Sequence, residues 1–263
     1  MLTRVTAIEH HALITSGKTR PSRIVGERAD GTTVEIVAKF SASCEQKEAS
    51  LAREVIAACL AGDLGLPVPE PFLVDVPRDW ADVVADPEQR ARIRASSPVA
   101  FGSRQITGGY AVWHSEMRID EGMLAVAAAI FTFDAIIQNV DRRTDNPNCF
   151  VKGSQIRIFD HELTFTHGVV IGWKPPWTLG GLKPLETPGF HIFRAGLVGR
   201  AIDFGPIRAA WAGLPDGRIA EYETVLPREW AGAAGAVKTA LALIRDARDN
   251  IDACLAEVKR VLA

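Results

Sequence analysis

Between residues 10 and 40, apolar and polar positions alternate in short runs at 11–14, 23–25 and 33–40, separated by a polar turn at 15–22 and by Asp30-Gly31. A two-residue period around an Asp-Gly pair predicts three strands, the last two joined as a hairpin. From 45 to 63 the period lengthens. Leu51, Val55, Ala58, Cys59 and Leu60 recur at helical spacing, and Gly62 or Gly65 can close one amphipathic helix. Pro67-Val-Pro-Glu-Pro71 then forces an extended segment that leads into a strand at 72–76. Residues 77–97, rich in Asp, Arg and Ala, read as an insertion with a short surface helix near 87–94. A further strand at 99–106 runs into Thr107-Gly108-Gly109, where glycines punctuate a change of pattern.

Beyond that point helical patterning dominates. Residues 122–139 form a helix that is apolar on most of its surface and so belongs in a core. Its longest apolar run, Met123 to Phe133, stops at Asp134 and is too short to span a bilayer, which needs about 20 residues. Strands at 149–151 and 155–159 flank Lys152-Gly153-Ser154 as a hairpin. Residues 168–189, rich in Gly, Pro and Trp and without period, read as a surface loop beside a site. One or two helices follow at 233–261. The pattern predicts an α+β protein in two lobes, a β-rich N-lobe with one helix over residues 1–107 and a helical C-lobe over 108–263.

Composition narrows the function classes. The 263 residues are 47% hydrophobic and 24% charged, as in ordinary globular proteins. A net charge of −2 supplies no basic field for nucleic acid or an anionic membrane, so neither is expected as a partner. Cys44, Cys59, Cys149 and Cys254 are far apart and form no CxxC pair, which speaks against a zinc ribbon and for a reducing cytoplasm. The N-terminal residues show no secretion signal.

The chemistry concentrates in the string from Asn139 to Asn148. Asp141 is followed five positions later by Asn146, Asp160 ends the next strand, Lys39 lies in a strand and Glu54 in the helix after it. Protein kinases carry these residue types in this order. Phosphoryl transfer needs a carboxylate to orient a hydroxyl, the part that falls to Asp141. Hard oxygens, from Asp160 and from Asn146 or Asn148, suit Mg²⁺. Lys39, held by Glu54, would meet ATP phosphates, and backbone near Gln105 would meet the adenine edge.

The wording of the motifs is more specific. Asn139-Val-Asp-Arg142 with Asn146-Pro-Asn148, Leu64-Gly-Leu-Pro-Val-Pro69 and Ser16-Gly-Lys-Thr-Arg-Pro21 resemble the HipA-like kinases, relatives of the phosphatidylinositol kinases. The resemblance spans roughly residues 10 to 200. It implies a protein-kinase-like fold, a Mg-ATP phosphotransferase acting on Ser or Thr of a protein, toxin-antitoxin biology and a partner or antitoxin protein. It also makes Ser16, Gly17, Lys18 and Thr19 a phosphate-binding turn. The chain departs from ordinary kinases in carrying Asp160-His161-Glu162 in place of Asp-Phe-Gly, and it lacks room before residue 10 for the extra subdomain of the longest HipA proteins.

Other readings compete for the same residues. Ser16-Gly17-Lys18-Thr19 is no Walker A motif, because Ala12 stands where its first glycine belongs and no helix follows. An ordinary hairpin turn is its plain alternative. Glu45 and Glu48 rival Glu54 on one helix. Arg142 and Arg143 suit either carboxylates or phosphate, and Trp173 and Trp177 suit either docking or loop packing. A lipid or small-molecule kinase, or a pseudokinase that binds a partner, are the alternative functions.

Overall fold

The computed structural model describes residues 2–15, 18–169 and 172–263. Five strands close into a barrel in the order β1-β2-β3-β5-β4. These are β1 (Thr3–Leu13), β2 (Ser22–Glu27), β3 (Thr33–Lys39), β4 (Pro71–Asp75) and β5 (Val99–Arg104). Helix α1 (Glu48–Asp63) joins β3 to β4, and α2 (Pro87–Arg94) lies in the segment before β5. A second sheet, in the order β6-β7-β8, comprises β6 (Ala111–Val112), β7 (Cys149–Lys152) and β8 (Gln155–Ile158). The remaining helices are α3 (Glu121–Ile137), α4 (Arg194–Leu197), α5 (Gly205–Ala212), α6 (Asp216–Thr224), α7 (Ala234–Asp249) and α8 (Ile251–Leu262).

Closure of the barrel departs from the sequence reading. Strand β1 starts at Thr3, not near residue 11, and its first half pairs in parallel with β4, Thr3 opposite Phe72 and Thr6 opposite Asp75. Antiparallel pairing to β2 occupies the second half. Alternation then sorts the side chains. Val5, Ala7, Ile24, Val34, Ile36, Ala38, Phe72, Val74 and Ala100 fill the barrel interior, with Trp80, Val84 and Ile93 of the 77–97 segment packed against it. The intervening residues of β3, Val37 and Lys39, face the cleft instead.

Helix α1 is buried nearly all round, Ser50, Arg53 and Glu54 included, rather than along one stripe. Its apolar residues share a single core with Leu73 and Phe101 of the barrel and with α3 and α7. Trp230 adds a tie, its indole N–H donating to the Val99 carbonyl at 3.0 Å. Helix α3 is capped by the Asp120 carboxylate, which accepts the Met123 N–H at 2.8 Å. The helix runs to Ile137, close to the expected 122–139, so Asp134, where the apolar run pauses, is a buried charge inside it. Trp173 and Trp177 pack against the main core, which favours the packing reading of that loop.

Candidate active site

A cleft of about 630 Å³ opens between the barrel and the second sheet. Val37, Val68, Phe101, Ile106, Phe150 and Phe159 give it an apolar wall, and Lys39, Glu54, Asp141, Asn146, Asn148, Asp160 and Glu162 converge on it. Lys18 and Thr19, in the turn between β1 and β2, line its rim, whereas Ser16 and Gly17 lie outside the described residues.

Lys39 is the focus of charge. Its ammonium is 2.9 Å from Glu54 Oε2, 2.6 Å from Asp160 Oδ1 and 3.2 Å from Glu162 Oε2. Strand β3 places Lys39 opposite the buried Ala38, and α1 presents Glu54 from its centre; Glu45 and Glu48 make no such pair. Burial disfavours the Lys39 ammonium, but the three carboxylates outweigh it and hold the lysine charged well above its ordinary range. Burial likewise pushes Glu54 up, yet Lys39 and His161 more than offset it and bring it down to about 2. Glu162 is raised, by burial first and then by its acidic neighbours Asp160 and Glu54.

Asp141 stands across the cleft. Its Oδ2 accepts the side-chain amide N–H groups of both Asn146, at 2.8 Å, and Asn148, at 3.0 Å. With both amide nitrogens turned to Asp141, both amide oxygens are left as hard donors in the cleft that the Asp160 carboxylate also lines. That donor set fits Mg²⁺, and the apolar wall with Lys39 at its end fits ATP.

Arg142, undecided from sequence, is fully buried and ion-paired to Asp134, Nε to Oδ2 at 2.6 Å. His191 reaches the same Asp134 oxygen at 3.1 Å, and Asn139 donates to the other at 2.8 Å. Burial would raise Asp134, but Arg142 and His191 outweigh it and hold the carboxyl far below the carboxylate range. Arg143 is half-buried at the edge of the cleft and pairs with Asp145 at 3.0 Å. Gln105 does not join the site: its N–H donates to the Glu35 carbonyl at 2.9 Å, β5 having ended at Arg104, and the cleft is lined there by Ser103, Arg104 and Ile106.

The sequence reading also passed over Glu162, Asp134 and His191. Glu162 carried a signal, two residues after Asp160 where ordinary kinases have glycine. Asp134 could have been found as a carboxylate embedded in the apolar later turns of its helix. His191 lies in an irregular segment and carried no signal.

A family model of the HipA-like kinases matches residues 26–171, more than half of the chain. The chain belongs to the HipA-like kinase family. All of the cleft residues from Val37 to Leu163 fall within the matched segment, and the helices from α4 onward lie outside it. Among solved structures, this HipA-like kinase is similar to the Helicobacter pylori proinflammatory kinase CtkA, with a TM-score of 0.54 and 11% sequence identity. The alignment covers 100% of this chain and 99% of that one, and at this identity it speaks for the fold. No curated protein matches.

Proposed function

We propose that this HipA-like kinase transfers the γ-phosphoryl group of Mg-ATP to a Ser or Thr hydroxyl of a protein. The observation that carries the reading is the convergence of Lys39, Glu54, Asp141, both asparagines and Asp160 on one cleft. Asp141 receives the hydroxyl proton as the acceptor oxygen bonds to the γ-phosphorus and the bond to the β-phosphate oxygen breaks, releasing ADP. Asn146 and Asn148, through their hydrogen bonds, hold Asp141 in place. Asp160 with an amide oxygen of Asn146 or Asn148 would hold Mg²⁺, which when bound neutralises charge on the phosphates. Lys39, kept extended by Glu54, meets the α and β phosphates, and Lys18 with Thr19 closes over them.

On this reading residues 1–107 and 108–263 are two lobes with the cleft between them. The protein acts in the cytoplasm with a protein substrate, and a partner or antitoxin protein belongs to the same proposal.

The test is incubation with γ-labelled ATP and Mg²⁺, alone and with cell lysate, beside Asp141→Ala. Label on phosphoserine or phosphothreonine, made by wild type only, is expected. Label confined to the organic extract or to small solutes would replace the protein substrate with a lipid or metabolite. No label anywhere, with ATP still bound, would indicate a pseudokinase.

A further inference from the structure

The residue between Asp160 and Glu162 is a histidine where ordinary kinases place phenylalanine, and it is 1% exposed. Its hydrogen bonds have a fixed polarity. Arg142 Nη2 lies 2.9 Å from His161 Nε2, and a guanidinium only donates, so Nε2 is bare and the ring proton sits on Nδ1. Nδ1 faces Glu54 Oε1 at 3.5 Å, and the His161 backbone N–H donates to that same oxygen at 2.9 Å. The other Glu54 oxygen holds Lys39.

On its far side Arg142 is tied to backbone as well as to charge. Its Nη1 donates to the carbonyls of Asn148 and Phe159. Those carbonyls flank two strained points, Asn148 at φ 44° and Asp160 at φ 63°, conformations that cost a non-glycine residue about 1 kcal/mol or more and persist only where neighbours hold them. The arginine is itself anchored by Asp134, which His191 clamps. Because His191 Nδ1 accepts the Phe193 N–H at 3.1 Å, its proton lies on Nε2 and points at Asp134. One connected chain, with the donor and acceptor of each link assigned, therefore joins Lys39, Glu54, His161, Arg142, Asp134 and His191.

We infer that His161 is a positioning residue that, through Arg142, couples the Lys39–Glu54 pair to the segment carrying Asp141, Asn148 and Asp160. The inference rests on the phosphotransferase reading for its effect on rate, and on hydrogen-bond geometry for the chain itself. A purely space-filling role makes the opposite demand. The His161 ring packs edge-on against Phe133, with centroids 5.8 Å apart, and a phenylalanine would preserve that contact while a glutamine would not. Glutamine can instead accept from Arg142 and donate towards Glu54.

Turnover of ATP is measured for wild type, His161→Gln and His161→Phe, with melting temperatures alongside. The chain predicts that His161→Phe loses about 10²-fold in kcat, the scale of a misplaced reacting group, while His161→Gln stays within about tenfold of wild type. The reverse order, or equal rates for all three, would overturn the positioning role. Nitrogen-15 spectra of histidine-labelled wild type supply a readout that needs no activity. They should show His161 protonated at Nδ1 and His191 at Nε2, and His161 protonated at Nε2 would break the chain. Absence of turnover in the wild type would overturn the functional reading and the rate effect with it, whereas the tautomers test the chain by themselves.

Discussion

Lys39 carries one charge and faces three carboxylates, so entering phosphates must compete with Glu54, Asp160 and Glu162 for it. Glu162 is the one of the three with no part in the kinase template. Its replacement in Glu162→Gln removes a like charge from the phosphate site and should tighten ATP binding without Mg²⁺ by about fivefold, since such a repulsion is worth on the order of 1 kcal/mol. Titration calorimetry checks this, and unchanged affinity would mean that Glu162 does not face the phosphates. Asp134 makes a separate prediction about pH. Its folded pKa lies below its unfolded value, so its contribution is complete above about pH 4 to 5 and fades as the pH falls further towards the folded value. Unfolding free energy should therefore fall steeply once the pH drops below about 4 in wild type, and less steeply in Asp134→Asn. That variant leaves Arg142 without its buried partner and should lose about 3 kcal/mol or more at neutral pH by urea melts.

Helices show where local pattern suffices and where it does not. The α2 reading at 87–94 agrees with the structure because Asp86 caps it, accepting the Gln89 N–H at 2.7 Å, and Pro87 suits a first turn. The hairpin of β7 and β8 was legible from its Lys-Gly-Ser turn, with Gly153 at φ 54°. Helix α1 was legible as a helix, but its burial on all sides was not, because its neighbours α7 and Trp230 come from the far end of the chain. The opening half of β1 escaped for the same reason: its parallel partner β4 lies some 70 positions away, and its outward face is polar. Within the site, Lys39, Glu54, Asp141 and Asp160 were legible from order and spacing. The Arg142 cluster was not, since Asp134 sits in an apolar helix and His191 in an irregular segment. At this scale, Asp120→Ala removes the cap of α3 and should cost about 1 kcal/mol of stability while leaving nucleotide affinity unchanged, as chemical denaturation and calorimetry would show.

For the whole molecule, barrel closure sets how Lys39 is aimed, and closure depends on close approach at Gly102. A Cβ there would lie 2.6 Å from Ile36 Cγ2 and 2.8 Å from Val74 Cγ2, inside the barrel core. Gly102→Ala should therefore destabilise the protein by about 1 to 3 kcal/mol. Gly217→Ala, in α6 with open space around it, should instead be neutral or stabilising by up to about 1 kcal/mol, and paired urea melts compare the two. The sheet and α1 thus bring Lys39 and Glu54 together at the cleft, while Asp134 of α3, met also by His191, holds Arg142. The claim uniting these layers is that the cleft turns over ATP. ADP formation by wild type and Asp141→Ala, each also followed by its melting temperature with Mg-ATP, tests it most directly. The account predicts the same nucleotide-induced rise in both proteins and ADP from wild type only. Equal ADP formation by the two, or none by either, would contradict it.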